Sequence, residues 1–129
     1  MERLYGMNEI AIQIRPMPSP RPRVYGKRTV MPEPYMDYKS VIENKCKSFS
    51  KIDGDIKATL LFHFKKSKSH GRNKMSMPVG DCDNLAKSVL DALEGIAYEN
   101  DRQIVELIVK KGYSDTDLVE IRLEKVEND

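Results

Sequence analysis

The run Gly80-Asp81-Cys82-Asp83-Asn84-Leu85-Ala86-Lys87 holds two carboxylates separated by one residue and a cation one helical turn past the second; Asp91 and Asp101 follow. At a loop-to-helix junction such a pair can converge on a hard cation. Mg2+ takes oxygen ligands and accepts partial protein coordination, completing its shell with water or substrate phosphate. Lys87 could then neutralise charge developing on a phosphate or orient an attacking water. Asp101, just ahead of a strand-like segment, would add a third carboxylate from a different part of the backbone. Cys82 offers sulfur, which Mg2+ ignores. The same residues admit a plainer reading, in which Asp83 caps a helix and Asp83, Lys87 and Asp91 form a solvated ion-pair ladder contributing a few tenths of a kcal/mol per pair.

The surroundings favour the chemical reading. Between Arg15 and Met31 stand Arg15, Arg21, Arg23, Lys27 and Arg28 with no acid; between Phe64 and Val79 stand Lys65, Lys66, Lys68, Arg72 and Lys74, again with no acid. From Glu99 to Asp129 nine acids face five cations, so the net charge of +2 conceals a segregated chain. An anionic partner reconciles acids with flanking cations, and Arg21, Arg23, Lys27, Arg28, Lys65, Lys66, Lys68, Arg72 and Lys74 are the expected contacts to backbone phosphates, positioning a nucleic acid without reading its bases.

The elements that must hold these groups can be read from the pattern. With 129 residues, 40% hydrophobic and 33% charged, residues 1–129 suit one domain with one core. No apolar stretch approaches the ~20 residues of a membrane span, and MERLYGMNEI lacks the apolar core of a secretory signal, so a cytoplasmic protein with reduced Cys46 and Cys82 is expected. Glu9–Arg15 alternates, with Ile10, Ile12 and Ile14 on one face of a first strand. Pro16, Pro18, Pro20 and Pro22 then predict an extended arm. A helix is expected at about Tyr35–Phe49, a strand at Asp55–Phe64, a loop over 65–80, and the clearest helix at Asp83–Gly95, whose Leu85, Val89, Ala92 and Leu93 form one apolar stripe. Strands at Gln103–Val109 and Asp117–Val126, separated by a turn at Gly112–Asp115, complete an α+β domain: two helices packed on a mainly antiparallel or mixed sheet. His63, within a strand pattern, reads as structural.

Asp81-Cys82-Asp83-Asn84-Leu85-Ala86-Lys87, continued by Leu90-Asp91-Ala92-Leu93 and by Asn100-Asp101-Arg102-Gln103-Ile104, resembles the signature of the RusA family of Holliday junction resolvases. The close resemblance spans Gly80 to Ile104, with looser agreement elsewhere. It implies a RusA-like α+β fold in an intertwined homodimer, and an endodeoxyribonuclease of phage or prophage origin that resolves four-way junction DNA by paired symmetric nicks in recombination and repair inside a bacterial cell. It further implies Asp81, Asp83 and Asp101 as Mg2+ ligands, with Mn2+ able to substitute, Lys87 as the catalytic lysine, and no organic cofactor. Asp91 matches a recurrent acid with a supporting role. The chain departs from the family where it has Asn100-Asp101, since many members carry two consecutive acids there; Asn100 could still offer a neutral oxygen. The rival readings are a non-catalytic nucleic-acid-binding protein, in which the acids only brace a helix, and a less selective metal-dependent nuclease.

Overall fold

The computed structural model describes residues 7–21, 23–66, 78 and 80–127. Its elements follow the order β1 (Met7–Ile12), β2 (Arg23–Tyr25), β3 (Arg28–Val30), α1 (Glu33–Lys45), β4 (Ile56–Lys65), α2 (Cys82–Leu93), β5 (Ile104–Ser114) and β6 (Leu118–Lys125). Four strands form one sheet in the order β1-β6-β4-β5, and β2 and β3 form a separate ribbon. The sheet is mixed: β1 and β4 run antiparallel to β6, while β4 and β5 run parallel.

Alternation explains the layers. On β4, Ile56, Ala58, Leu60, Phe62 and Phe64 are buried while the residues between them are half-exposed. Val119, Ile121 and Leu123 of β6 are buried, and Ile12 and Ile10 sit opposite Val119 and Ile121, so the expected face of β1 is the core face. Tyr38, Ile42 and Cys46 from α1, and Leu85, Ala86, Val89, Ala92 and Leu93 from α2, pack in the same core. Each large α2 side chain buried there contributes roughly 1.5–3 kcal/mol relative to exposure. The other sheet face, with Thr59, Leu61, His63, Glu120 and Arg122, is open; on it His63 Nε2 pairs with Glu120 Oε2 at 2.6 Å across β4 and β6.

Three features depart from the pattern. The proline-rich stretch is irregular but leads into the β2–β3 ribbon, whose two-residue turn starts with Gly26 at φ 61°; glycine opens such turns without steric cost. The first helix begins at Glu33 and ends at Lys45 rather than Phe49, with proline in its first turn and the Cys46 N–H closing on the Ile42 carbonyl. The turn expected at Gly112–Asp115 does not form, because β5 stays paired with β4 through Tyr113 and Ser114. The chain then crosses the end of β4 to reach β6 on the far side, held by the Asp117 carboxylate accepting from the Lys65 N–H at 2.8 Å and from Arg15 Nη1 at 3.1 Å. Arg15 also lies over the Phe64 ring, 5.3 Å from its centroid, so this cation is committed to the fold.

Candidate active site

β4, α2 and β5 form a β-α-β unit, in which the helix must run back against its two parallel strands. This direction fixes where the acids stand. The N-terminus of α2 lies at the C-terminal end of β5: Lys111 Nζ donates to the Gly80 carbonyl at 2.6 Å and to the Pro78 carbonyl at 3.1 Å.

Asp81 is the N-cap of α2, with φ −78° and ψ 147°, but its carboxylate makes no capping hydrogen bond. Asp83 follows in the first turn, where the helix dipole favours an acid. Asp81, Asp83 and Lys87 are all exposed, and none joins an ion pair within 4.0 Å among the described residues. The solvated ladder is therefore not formed. Two carboxylates at the start of α2 and an ammonium one turn along it are thus exposed and without an ion-pair partner among the described residues. Asp91, half-buried, sits near the phenols of Tyr35 and Tyr98 instead.

The proline-rich stretch reaches the same place. The Ser19 N–H donates to the Asn84 carbonyl at 3.0 Å, and a side chain at Gly80 would meet Pro18 at 3.3 Å. Gly80 has φ 101°, a conformation glycine alone adopts readily. Burial raises the Tyr35 phenol, while a hydrogen bond with Ser19 offsets part of the rise. Arg21, exposed and two residues past Ser19, is held within about 7 Å of that anchor by chain length alone. Arg23 lies in β2, exposed Lys27 and Arg28 sit at the tip of the ribbon, and exposed Lys65 and Lys66 end β4. Lys68, Arg72 and Lys74 lie outside the described residues.

Asp101 is elsewhere. It opens a short 3-10 turn, Asp101–Gln103, that precedes β5. α2 is about 18 Å long at 1.5 Å per residue, and the strand from Ile104 to Lys111 covers about 23 Å, so Asp101 stands at the opposite end of the β-α-β unit from Asp81 and Asp83. Among the described residues no three His, Cys, Asp or Glu side chains gather closely enough to hold an ion. Asp81, Asp83 and Asp101 thus do not come together within one chain. Nor is Asn100 a spare ligand: its Oδ1 accepts from the Arg102 N–H at 2.9 Å and from Arg102 Nε at 3.2 Å. Gln103 completes the turn by accepting from the Glu99 and Asn100 N–H groups and donating to the Ile52 and Gly54 carbonyls, so this glutamine of the motif is a brace that ties the Asp101 turn to the entry of β4.

Residue pattern alone missed Lys111 and Gln103. Gln103 carried a signal, its three-residue offset from an asparagine N-cap, the spacing of a capping box. Lys111 carried none.

No helix among the described residues is long and apolar enough to cross a membrane. A curated relative, the uncharacterized protein YqaN of Bacillus subtilis (strain 168), is 38% identical over 64 residues, which is 48% of this chain and 45% of that one. The match thus spans less than half the length of that relative. The family described as Endodeoxyribonuclease RusA matches residues 13–124, from the arm to the last residues of β6, and includes Asp81, Asp83, Asp91 and Asp101. The chain belongs to the RusA endodeoxyribonuclease family.

Proposed function

We propose that this chain is a Mg2+-dependent endonuclease that resolves four-way DNA junctions by paired symmetric nicks, acting as a homodimer in recombination and repair, in a phage or prophage setting. The observation that carries it is the set of exposed Asp81, Asp83 and Lys87 over the first two turns of α2, without an ion-pair partner among the described residues, in a chain of the RusA family. Two carboxylates suit Mg2+, which is held by one or two of them and by substrate phosphate. When bound there, the ion supplies Lewis acidity and lowers the pKa of a coordinated water. The residues contribute the rest. Asp81 and Asp83 offer exposed carboxylate oxygens as ligands, and Lys87, one turn past Asp83, would meet charge developing on the phosphate. Arg21, Lys27, Arg28, Lys65 and Lys66 lead the backbone to it.

Homodimerisation gives Asp101 a role. A carboxylate that cannot join its own chain's pair can join a partner's, and two such shared sites related by a twofold axis would cut two strands symmetrically. β5 suits the interface: it is an edge strand, and Val105 and Leu107 on it are exposed. The test is cleavage of a synthetic four-way junction beside its component duplex, with and without Mg2+. Metal-dependent paired nicks on the junction alone support the reading; binding without cleavage in Mg2+ or Mn2+ refutes it.

A further inference from the structure

Among the described residues, Lys111 is the cation tied to the backbone that leads into the acid pair. It sits opposite Phe62 on the core face of β5, between Val109 and Tyr113, both packed on the core. Its stem is half-buried, and its ammonium emerges at the N-terminal end of α2. Helix dipoles disfavour a cation at that end, and among the described residues no carboxylate lies within 4.0 Å of this one. Two backbone carbonyls receive it instead, those of Pro78 and Gly80. The Gly80 carbonyl belongs to the same peptide unit as the Asp81 N–H, so anchoring it fixes the plane of the backbone entering the first acid. Pro18 closes the other side of Gly80, leaving that unit held between the arm and β5.

We propose that Lys111 is a positioning residue for the metal-binding acids: its ammonium pins the Pro78 and Gly80 carbonyls, fixes the backbone that enters Asp81, and so keeps the acid pair at the start of α2 correctly aimed. The inference rests on the metal-site reading above. Groups that hold the ligands of a metal typically change metal affinity or activity 10–100-fold when removed.

The experiment compares the full-length wild type with Lys111→Met. Mn2+ is titrated against each protein without DNA, free ion being followed by electron paramagnetic resonance, and junction cleavage is measured across a Mg2+ series. The expected result is Mn2+ uptake weakened about tenfold and half-saturating Mg2+ raised about tenfold, with turnover at saturating Mg2+ and junction affinity within about twofold of wild type. Lys111→Arg, which keeps charge and donors, should recover most of the loss. Unchanged Mn2+ and Mg2+ dependence in Lys111→Met overturns the proposal, as does a lowered melting temperature with metal dependence intact, the signature of a merely structural lysine. Should Lys111→Met not fold, Lys111→Gln is judged by the same two titrations. A wild type that takes up Mn2+ at Asp81 and Asp83 yet cuts no junction refutes the junction-nuclease reading alone, and the Mn2+ titration still decides for or against Lys111. A wild type that takes up no Mn2+ overturns both.

Discussion

Asp83 and Asp101 stand at opposite ends of α2, one in its first turn and one beyond the loop that leaves its last. If both serve one metal site, they do so from different protomers. Mixing separately inactive Asp83→Asn and Asp101→Asn proteins then regenerates activity: in a mixed dimer, one site collects both substitutions and the other collects none. Such dimers nick one strand of the junction. If each site drew on a single chain, every site in the mixture would carry a lesion and cutting would stay at the level of the single variants. Counting nicked against fully resolved junctions on a denaturing gel separates the outcomes.

Gly80 is placed to report on how tightly the entrance to Asp81 must be held. An alanine there must adopt φ 101° with its Cβ 3.3 Å from Pro18, whereas an alanine at Gly95, φ 89°, meets nothing within 4 Å. The left-handed conformation alone costs a non-glycine residue about 1–2 kcal/mol, so Gly95→Ala should lose about that much in urea unfolding. Gly80→Ala should lose more, the excess reporting the Pro18 contact, and should also cut poorly at temperatures where it is fully folded. Equal losses from the two variants would mean that the arm yields freely.

The two cysteines should behave oppositely. Cys46 is fully buried and burial pushes its thiol up to about 11, whereas Cys82, between the acids, is half-exposed. A thiol reagent at pH 8 should label Cys82 in the native protein, abolishing cutting by crowding Asp81 and Asp83, and should reach Cys46 only after unfolding. The Cys46 shift also sets a pH dependence. Below pH 9 both folded and unfolded chains keep the proton; above it the unfolded chain releases a proton that the folded chain retains, so stability falls as pH rises from 9 toward about 11. Tyr38 and Tyr98, raised mainly by burial, add to the fall from pH 10 upward. Urea midpoints of wild type and Cys46→Ala across pH 8 to 11 check this: the variant's decline begins later.

Local pattern carried much of this architecture. The isoleucines of β1, the alternation of β4 and the stripe of α2 all reflect burial on one face, which sequence periodicity records directly. The acid pair was legible for the same reason, since Asp81, Asp83 and Lys87 belong to one helix start. What escaped depends on partners far along the chain. A turn signal after Val109 cannot say whether the next strand pairs with β5 or crosses β4 to lie beyond it. The parallel pairing of β4 with β5 decides that Asp101 is remote from Asp83, and nothing local to either residue encodes it. Lys111 becomes meaningful only when β5 brings it beside Gly80, 31 residues earlier. The β2–β3 ribbon was too short to show a period, and only Gly26 marked it.

That ribbon yields the remaining prediction. Tyr25 pairs with Arg28 across the two-residue turn, so an aromatic ring and a guanidinium share one face at its tip, and every residue from Val24 to Val30 is exposed. With both faces in solvent, the ribbon projects from the domain. Its Lys27 and Arg28 have no acidic neighbour in sequence between Arg15 and Met31, which suits contact with a phosphate backbone. Lys27→Gln and Arg28→Gln should each weaken junction and duplex binding alike and flatten the log–log dependence of affinity on salt by about one unit, as loss of a single phosphate contact does. Lys125→Gln, an exposed cation in the acid-rich C-terminal segment, should leave that slope unchanged. If the ribbon variants instead keep the wild-type slope while shifting the oligomeric state in sedimentation, the ribbon grips a second protein copy and the phosphate assignment of Lys27 and Arg28 is wrong.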